Sequence, residues 1–155
     1  MNRWSRFRKL SAGERWTLLE AMALLPLTGA ALRHFGFERL RARVARLTPL
    51  PERRATGGVQ APMEEVRRVE RMVAAASREG LHKGNCLERS LTLWWLLRRR
   101  GLNGQLRIGV RKTEGKFEAH AWIEFDGAVL NDVGEVHRHY KPFERDLASL
   151  QTETR

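Results

Sequence analysis

The hydrophobic pattern of the chain changes its period once, near Gly104. Before this residue, apolar side chains recur every three or four positions, which is the spacing of amphipathic helices. After it they alternate with polar residues, as in strands that bury one face. Helices followed by hairpins, without an internal repeat, predict an α+β fold. With 155 residues, of which 42% are hydrophobic, the chain is long enough for one compact domain with a modest core.

Two helices are expected in the first 50 residues. Ser11 and Glu14 have the spacing of a capping box, so a helix should begin near Ala12. Pro26 should bend or end it, and a second, arginine-rich helix should cover residues 27–47. We interpret both as helices packed on the rest of the domain, with a membrane surface or a docking partner as the alternative. The residues expected to share one apolar face of the first helix are Trp16, Leu19, Met22 and Ala23.

Prolines and glycines crowd residues 47–62 and predict an exposed connection. We therefore expect a basic helical region with its linker at residues 1–60 and a main domain at residues 61–155. The net charge of the chain is +11, and residues 1–60 contain twelve basic and four acidic side chains. Such a region could meet nucleic acid, an anionic membrane or an acidic peptide, and charge alone does not choose among them.

Two helices are predicted in the first part of the main domain. Residues 63–79 carry valines and alanines at helical spacing, and Gly80 is a natural end. The next helix should begin at Cys86 and close near Arg100, where three consecutive arginines and Gly101 suit a C-terminus. Cys86 is therefore expected in the first turn of a largely buried helix.

The rest of the main domain reads as an antiparallel meander. Strands are predicted at residues 106–111, 117–125 and 128–133, because apolar and polar side chains alternate there. Turns should fall at residues 114–115 and 126–127, where glycine follows an acidic residue.

No transmembrane segment or secretion signal is expected. The apolar run at residues 16–32 is interrupted by Glu20, Pro26 and Gly29, and it is shorter than the ~20 residues that a spanning helix needs. Cys86 is the only cysteine, so no disulfide can form within the chain, which fits a reducing compartment. We expect a cytoplasmic protein.

Cys86, His120 and Asp132 are the candidates for chemistry. A lone cysteine is more often a small buried hydrophobe than a nucleophile, but a helix N-terminus favours the thiolate. A thiolate nucleophile needs a base and a group that orients the base, and His120 and Asp132 could supply them. Considered singly, His120 is as well explained as a surface or core histidine and Asp132 as a strand-end turn residue.

The register of the last hairpin tests the pairing of His120 with Asp132. A two-residue turn would place the two side chains on opposite faces of the sheet. A three-residue loop over residues 125–127 would pair Glu124 with Ala128 and set His120 opposite Asp132, with Cβ atoms about 5 Å apart. We predict this three-residue loop or an equivalent bulge.

No cofactor and no metal are expected. The side chains that could hold zinc lack the paired spacing of a structural site, and two of the histidines lie in a polar stretch after the last strand. These side chains are Cys86, His82, His120, His137 and His139.

Five segments together resemble the transglutaminase-like cysteine peptidases of lasso-peptide biosynthesis. The resemblance covers about residues 61–145, and the apolar, arginine-rich leading region is also similar. It implies a papain-like core, in which a helix bearing cysteine packs on an antiparallel sheet bearing histidine and aspartate, and it implies a triad of Cys86, His120 and Asp132. The segments are NCLERSL at 85–91, LLRRRG at 96–101, IGV at 108–110, AHAWIE at 119–124 and GAVLND at 127–132.

The resemblance also implies a reaction and partners. The peptidase would remove the leader from a lasso precursor peptide through a thioester acyl-enzyme, so that a macrolactam cyclase can close the ring on the freed amine. A separate leader-recognition protein would be expected as a partner. The backbone N–H of Cys86 is a candidate oxyanion donor, and Asn85 or His82 could supply the second.

Two other classes remain open. A transglutaminase-like domain could have lost activity and serve only for contacts, or could transfer the acyl group to an amine in place of water. The basic residues at 1–60 leave a nucleic-acid or membrane-surface binder as a further alternative, although the arginines are scattered through apolar helices and nucleic acid is not the expected partner.

Overall fold

The structure is a computed structural model that describes residues 7–50, 60–113, 116–132 and 141–142. Several predicted features lie outside the described residues, namely linker residues 51–59, the turn at 114–115, Val133, His137 and His139.

The described part of the chain contains four helices of eleven residues or more. The capping box predicted at Ser11 begins a helix, the helix predicted to start at Cys86 begins there, and Gly80 follows the end of the third helix as expected. The helices are α1 (Ala12–Phe35), α2 (Phe37–Leu47), α3 (Gln60–Glu79) and α4 (Cys86–Arg99).

Pro26 lies inside α1 and does not end it, so the predicted second helix over residues 27–47 is divided differently. Proline costs a helix one hydrogen bond and a steric conflict with the preceding turn, and the packing of Leu25 and Thr28, both buried, outweighs that cost. The break falls at Gly36, where φ is 76°, a value that a residue without Cβ adopts easily. The Gly36 N–H donates to the Leu32 carbonyl at 3.0 Å.

The predicted buried face of α1 is wrong. Trp16 is 65% exposed and Leu19 is 50% exposed, and the helix contacts the core through its other side. The reason is that α1 is apolar nearly all round, with Glu20 as its one charge between Arg15 and Arg33, so hydrophobic spacing cannot select a face. The buried residues of α1 are Thr17, Leu18, Ala21, Leu25, Thr28 and Gly29.

The strands form one antiparallel sheet in the order β3-β2-β1-β4. β1 is paired with β2 along its whole length, whereas β3 is three residues long and stops short of the predicted end at residue 133. The strands are β1 (Gln105–Thr113), β2 (Lys116–Phe125), β3 (Ala128–Leu130) and β4 (Lys141–Pro142).

Helix α4 lies at the centre of the core, between the sheet and the other helices. Each of its fully buried leucines contributes about 1.5–3 kcal/mol relative to an exposed position. The predicted α+β fold is confirmed, with the cysteine-bearing helix packed on an antiparallel sheet. None of the helices in the described residues has the length and apolarity to cross a membrane. The buried core side chains of α4 are Leu91, Leu93, Trp94, Leu96 and Leu97, and those of the sheet are Ile123, Phe125 and Leu130.

Candidate active site

Cys86 is the first residue of α4, and its side chain is half-buried. The side chain of Asn85 caps the helix by accepting the Glu88 N–H at 2.9 Å, and the Glu88 carboxylate accepts the Asn85 N–H at 3.0 Å. The backbone N–H of Cys86 has no hydrogen-bond partner among the described residues. A thiol and an uncommitted donor therefore share the positive end of the helix.

The buried carboxylate of Glu88 stabilises the start of this helix. Glu88 is 7% exposed, and its Oε2 also lies 2.8 Å from Nε2 of His82. Arg33 of α1 approaches the other oxygen at 4.0 Å. α1 comes this close because residue 29 is glycine: a Cβ there would lie 2.8 Å from Glu88 Oε1. The cluster fixes the loop that leads into Cys86.

Ser90 joins α4 to the strand that carries the candidate base. It follows Cys86 by four residues, so the two side chains lie on the same side of the helix, one turn apart. Ser90 is fully buried, and its hydroxyl donates to the Ala121 carbonyl at 2.9 Å. Ala121 directly follows His120, and the first turns of α4 are thereby held beside this part of β2.

His120 and Asp132 are hydrogen-bonded through Nε2 and Oδ2. Both side chains are largely protected from solvent, with exposures of 21% and 17%. The imidazole stacks on the Trp122 ring, with centroids 6.2 Å apart and an interplanar angle of 20°. Trp122 is fully buried and donates to Glu124 at 3.0 Å, so the surface on which the imidazole rests is itself fixed.

The predicted three-residue loop is wrong. Phe125 pairs with Ala128, which leaves a two-residue turn made of Asp126 and Gly127. Their φ values are 47° and 78°, and positive φ at both central residues is the mark of a type I′ turn, which matches the right-handed twist of the flanking strands.

The change that brings Asp132 to His120 lies after the strand, at Asn131. An unbroken ladder from this turn would set Asp132 opposite Ala121, on the wrong face for His120. The ladder instead ends at Leu130, and Asn131 takes a left-handed conformation with φ of 55°. This departure from strand geometry breaks the alternation and turns Asp132 toward the imidazole.

Three polar residues, Asn131 and its partners Ser90 and Glu70, were not identified from the sequence as part of the site. The Asn131 amide donates to Ser90 at 2.8 Å and accepts the Ile123 N–H at 3.1 Å, and its own N–H donates to Glu70 of α3 at 2.6 Å. Two signals could have indicated them: Ser90 is a small polar residue among leucines one turn after Cys86, and Asn131 is a turn-forming residue directly before Asp132.

The structure thus joins two of the three candidate residues directly. Among the described residues no hydrogen bond reaches the Cys86 sulfur. The helix that begins at Cys86 is joined to the strand that carries His120 by the hydrogen bond from Ser90 to the Ala121 carbonyl. Of the other oxyanion candidates, His82 has its Nε2 engaged by Glu88, whereas Asn85 uses only its oxygen in the cap.

Within the described ranges, no three histidine, cysteine, aspartate or glutamate side chains are grouped so as to hold a metal ion.

The fold agrees with the comparison with protein families. Residues 25–145 match the family model described as the transglutaminase-like superfamily, which is more than half of the chain. The chain therefore belongs to this superfamily, whose members are in general cysteine peptidases and transglutaminases. Searches of curated proteins and of solved structures returned no significant match.

Proposed function

We propose that this protein is a cysteine peptidase that removes the leader from a ribosomally made lasso precursor peptide. The observation that carries the proposal is the hydrogen bond between His120 and Asp132. His120 lies on β2, and this strand is hydrogen-bonded through Ala121 to the helix that begins at Cys86. An oriented imidazole beside a thiol at a helix N-terminus is the arrangement that nucleophilic catalysis requires. The restriction to lasso precursors rests on the sequence resemblance.

In the proposed reaction, the Cys86 thiolate attacks the scissile carbonyl and forms a tetrahedral intermediate. The C–N bond then breaks, the leader remains on sulfur as a thioester, and His120 gives its proton to the departing amine of the core peptide. His120 next takes a proton from water, which attacks the thioester and releases the leader as a carboxylate. Asp132 holds the imidazole in the required orientation throughout.

The oxyanion of the intermediate would be stabilised at the start of α4. The unpaired N–H of Cys86 points from the positive end of the helix and is the first proposed donor. The second is the Asn85 amide, whose oxygen is fixed in the cap while its nitrogen has no partner among the described residues.

The proposed partners are the precursor, a separate leader-recognition protein and the macrolactam cyclase that uses the freed amine. The use of a single free thiol as the nucleophile suits the reducing cytoplasm. Nucleic acid is a weaker alternative, because several arginines already bind protein groups. Within residues 1–60, Arg15 donates to the Leu10 carbonyl at 3.0 Å and Arg41 to Glu38 at 3.3 Å.

The test mixes the protein, a candidate precursor and its leader-recognition partner, and follows the products by mass spectrometry. Cys86→Ala and His120→Ala should each lower the cleavage rate by at least about 10³-fold while the thermal unfolding midpoint stays close to that of the wild type. Cleavage at the wild-type rate by either variant would exclude the mechanism. A product that carries an amine in place of the new carboxylate would indicate acyl transfer.

If no cleavage is seen, alkylation by iodoacetamide distinguishes an inactive domain from an active enzyme that was given the wrong precursor, since Cys86 is the only thiol. A functional nucleophile should react faster at neutral pH in the wild type than in His120→Ala. Equal rates in the two proteins would favour the inactive interaction domain.

Asn85→Ser tests the second oxyanion donor without removing the cap, because serine is also a good N-cap residue. If the Asn85 amide donates to the oxyanion, kcat should fall about 10²-fold with little change in stability. An unchanged kcat would place the second donor elsewhere.

A further inference from the structure

Asn131 has an unusual conformation at a position that decides where Asp132 points. Its φ of 55° lies in the left-handed region, which few residues other than glycine occupy and in which asparagine is enriched. The next residue is Asp132, hydrogen-bonded to His120. The conformation at Asn131 therefore sets the direction from which the carboxylate meets the imidazole.

The side chain of Asn131 ties together the elements that carry the three candidate residues. Its oxygen accepts the Ile123 N–H of β2 at 3.1 Å, where the β2–β3 ladder ends. Its nitrogen donates to Ser90 of α4 at 2.8 Å, and Ser90 donates to the Ala121 carbonyl at 2.9 Å. One amide thus bridges the cysteine-bearing helix and the histidine-bearing strand.

The backbone of Asn131 is held from a third direction. Its N–H donates to Glu70 Oε1 at 2.6 Å, and the other oxygen of Glu70 accepts Arg67 at 2.8 Å. Arg67 also approaches the Val129 carbonyl at 3.4 Å. Helix α3 therefore fixes the end of β3, while Ser90 fixes the amide.

We propose that Asn131 is a positioning residue that aligns the His120–Asp132 pair with Cys86, a role that rests on the proposed cysteine peptidase function. Asparagine suits the position because it combines tolerance of positive φ with one donor and one acceptor. Glycine would adopt the conformation but lacks the amide. Aspartate could still accept from Ile123, but it cannot donate to Ser90, whose proton is already given to Ala121.

A simple turn-forming role for Asn131 makes a different prediction from a positioning role. If the backbone conformation alone mattered, Asn131→Gly would be as active as the wild type. If the amide aligns the site, Asn131→Gly should lower kcat about 10- to 100-fold, the scale of a misplacement near 1 Å, with KM changed less than twofold. Ser90→Ala should also lower kcat, because it removes the oxygen that accepts the hydrogen bond of the Asn131 amide.

Thr92→Val is the matched control. Thr92 is also a fully buried hydroxyl of α4, but it donates to the Glu88 carbonyl at 2.8 Å and contacts Thr28 of α1, not the strand. This variant should lose stability in the same range as Ser90→Ala and retain the wild-type kcat. Equal kcat losses in Ser90→Ala and Thr92→Val would mean that any buried hydroxyl of α4 matters, and would overturn the positioning role.

The closing experiment combines Asn131→Gly with Asp132→Asn and measures kcat together with the ring ¹⁵N–¹H NMR signals of His120, assigned with His120→Gln. A positioning role predicts that Asn131→Gly changes the His120 signals as Asp132→Asn does, and that the double variant is no slower than Asp132→Asn alone. Wild-type signals in Asn131→Gly, or kcat losses that multiply, would overturn it. The NMR comparison needs no substrate, so a failure of the proposed peptidase activity would be recognised separately.

Discussion

The two capping boxes of the chain have the same local geometry and different surroundings. Ser11 accepts the Glu14 N–H at 3.2 Å and Glu14 accepts the Ser11 N–H at 2.9 Å. Asn85 and Glu88 make the equivalent pair at 2.9 and 3.0 Å. Each box satisfies two backbone donors and starts a helix where the sequence predicts one.

The difference lies in what packs against the glutamate. Glu14 lies at the more exposed helix start, with 22% of its side chain exposed, and Arg71 approaches it at 3.9 Å. Glu88 is buried, bonded to His82, and lies beneath Gly29. A local motif thus determines where a helix begins, but tertiary packing determines whether that beginning is rigid enough to support a reactive side chain such as the proposed Cys86 nucleophile.

The largest difference between the boxes should appear when each glutamate is removed. Glu88→Ala removes a buried carboxylate and leaves the Asn85 N–H and the half-buried His82 ring without their partner, so the free energy of unfolding should fall by about 1–3 kcal/mol. Glu14→Ala, at an exposed helix start, should cost at most about 1 kcal/mol. Urea unfolding of both variants measures the two values.

The same pair should separate in activity. Glu88→Ala should also lower kcat, because the helix start that holds Cys86 loses its support, whereas Glu14→Ala should not change kcat. Glu88→Gln, which keeps the capping hydrogen bond to the Asn85 N–H, provides an intermediate if Glu88→Ala does not fold. Equal losses in Glu88→Ala and Glu14→Ala would remove the distinction between the boxes.

Two glycines offer a smaller and more specific comparison. A Cβ at Gly29 would lie 2.8 Å from Glu88 Oε1, but a Cβ at Gly13 would only touch Arg68 at 3.8 Å. Alanine in a helix is favoured over glycine by about 1 kcal/mol, so Gly13→Ala should stabilise the protein by a fraction of that value. Gly29→Ala should destabilise it by about 1–2 kcal/mol, the scale of overpacking in a core.

The thermal unfolding midpoints of the two alanine variants are the measurement, and their changes should have opposite signs. A stabilised Gly29→Ala protein would show that Glu88 moves aside freely. The capping box of Glu88 would then be no more rigid than the surface box around Glu14.

The sequence predicts the parts of the fold that depend on local chemistry. The capping box at Ser11 predicts the start of α1, the helical pattern that follows Asn85 predicts that of α4, and alternation predicts β1 and β2. The buried face of α1 could not be predicted because this helix is apolar on both sides, and only the packing of α3 and α4 selects one of them. The predicted helix boundary at Pro26 failed for a similar reason, since tertiary contacts outweigh a local propensity.

The site illustrates the same limit. The chemistry of His120 and Asp132 predicts that they should meet, and they are hydrogen-bonded, but the loop proposed to bring them together is wrong. The sequence Asp126–Gly127 is a strong signal for a two-residue turn. Asparagine directly before Asp132 favours a turn there, but the irregularity at Asn131 also depends on Glu70 and Ser90, which are distant in sequence, so local patterns do not show how it is held.

The smallest expected effect concerns the pH dependence of the surface box. The Ser11 backbone N–H, and then the Ser11 hydroxyl, lower the pKa of Glu14 below its usual value. A carboxyl with a lowered folded-state pKa stabilises the protein above its unfolded pKa of about 4.3, and this stabilisation is lost as the pH falls through the folded value. Glu14→Gln should therefore be less stable than the wild type at pH 7 by a few tenths of a kcal/mol.

That difference should disappear in strong acid, where the wild-type carboxyl is protonated as well. Urea unfolding of the wild type and Glu14→Gln at a series of pH values from neutral to acidic measures this convergence. Ser11→Ala provides the control. Because this change removes the hydroxyl that helps to lower the pKa of Glu14, the free energy of unfolding should vary less with pH in this variant than in the wild type. A gap between wild type and Glu14→Gln that stays constant across the series would mean that the box acts through hydrogen-bond geometry alone, and the charge of Glu14 would then contribute nothing to the start of α1.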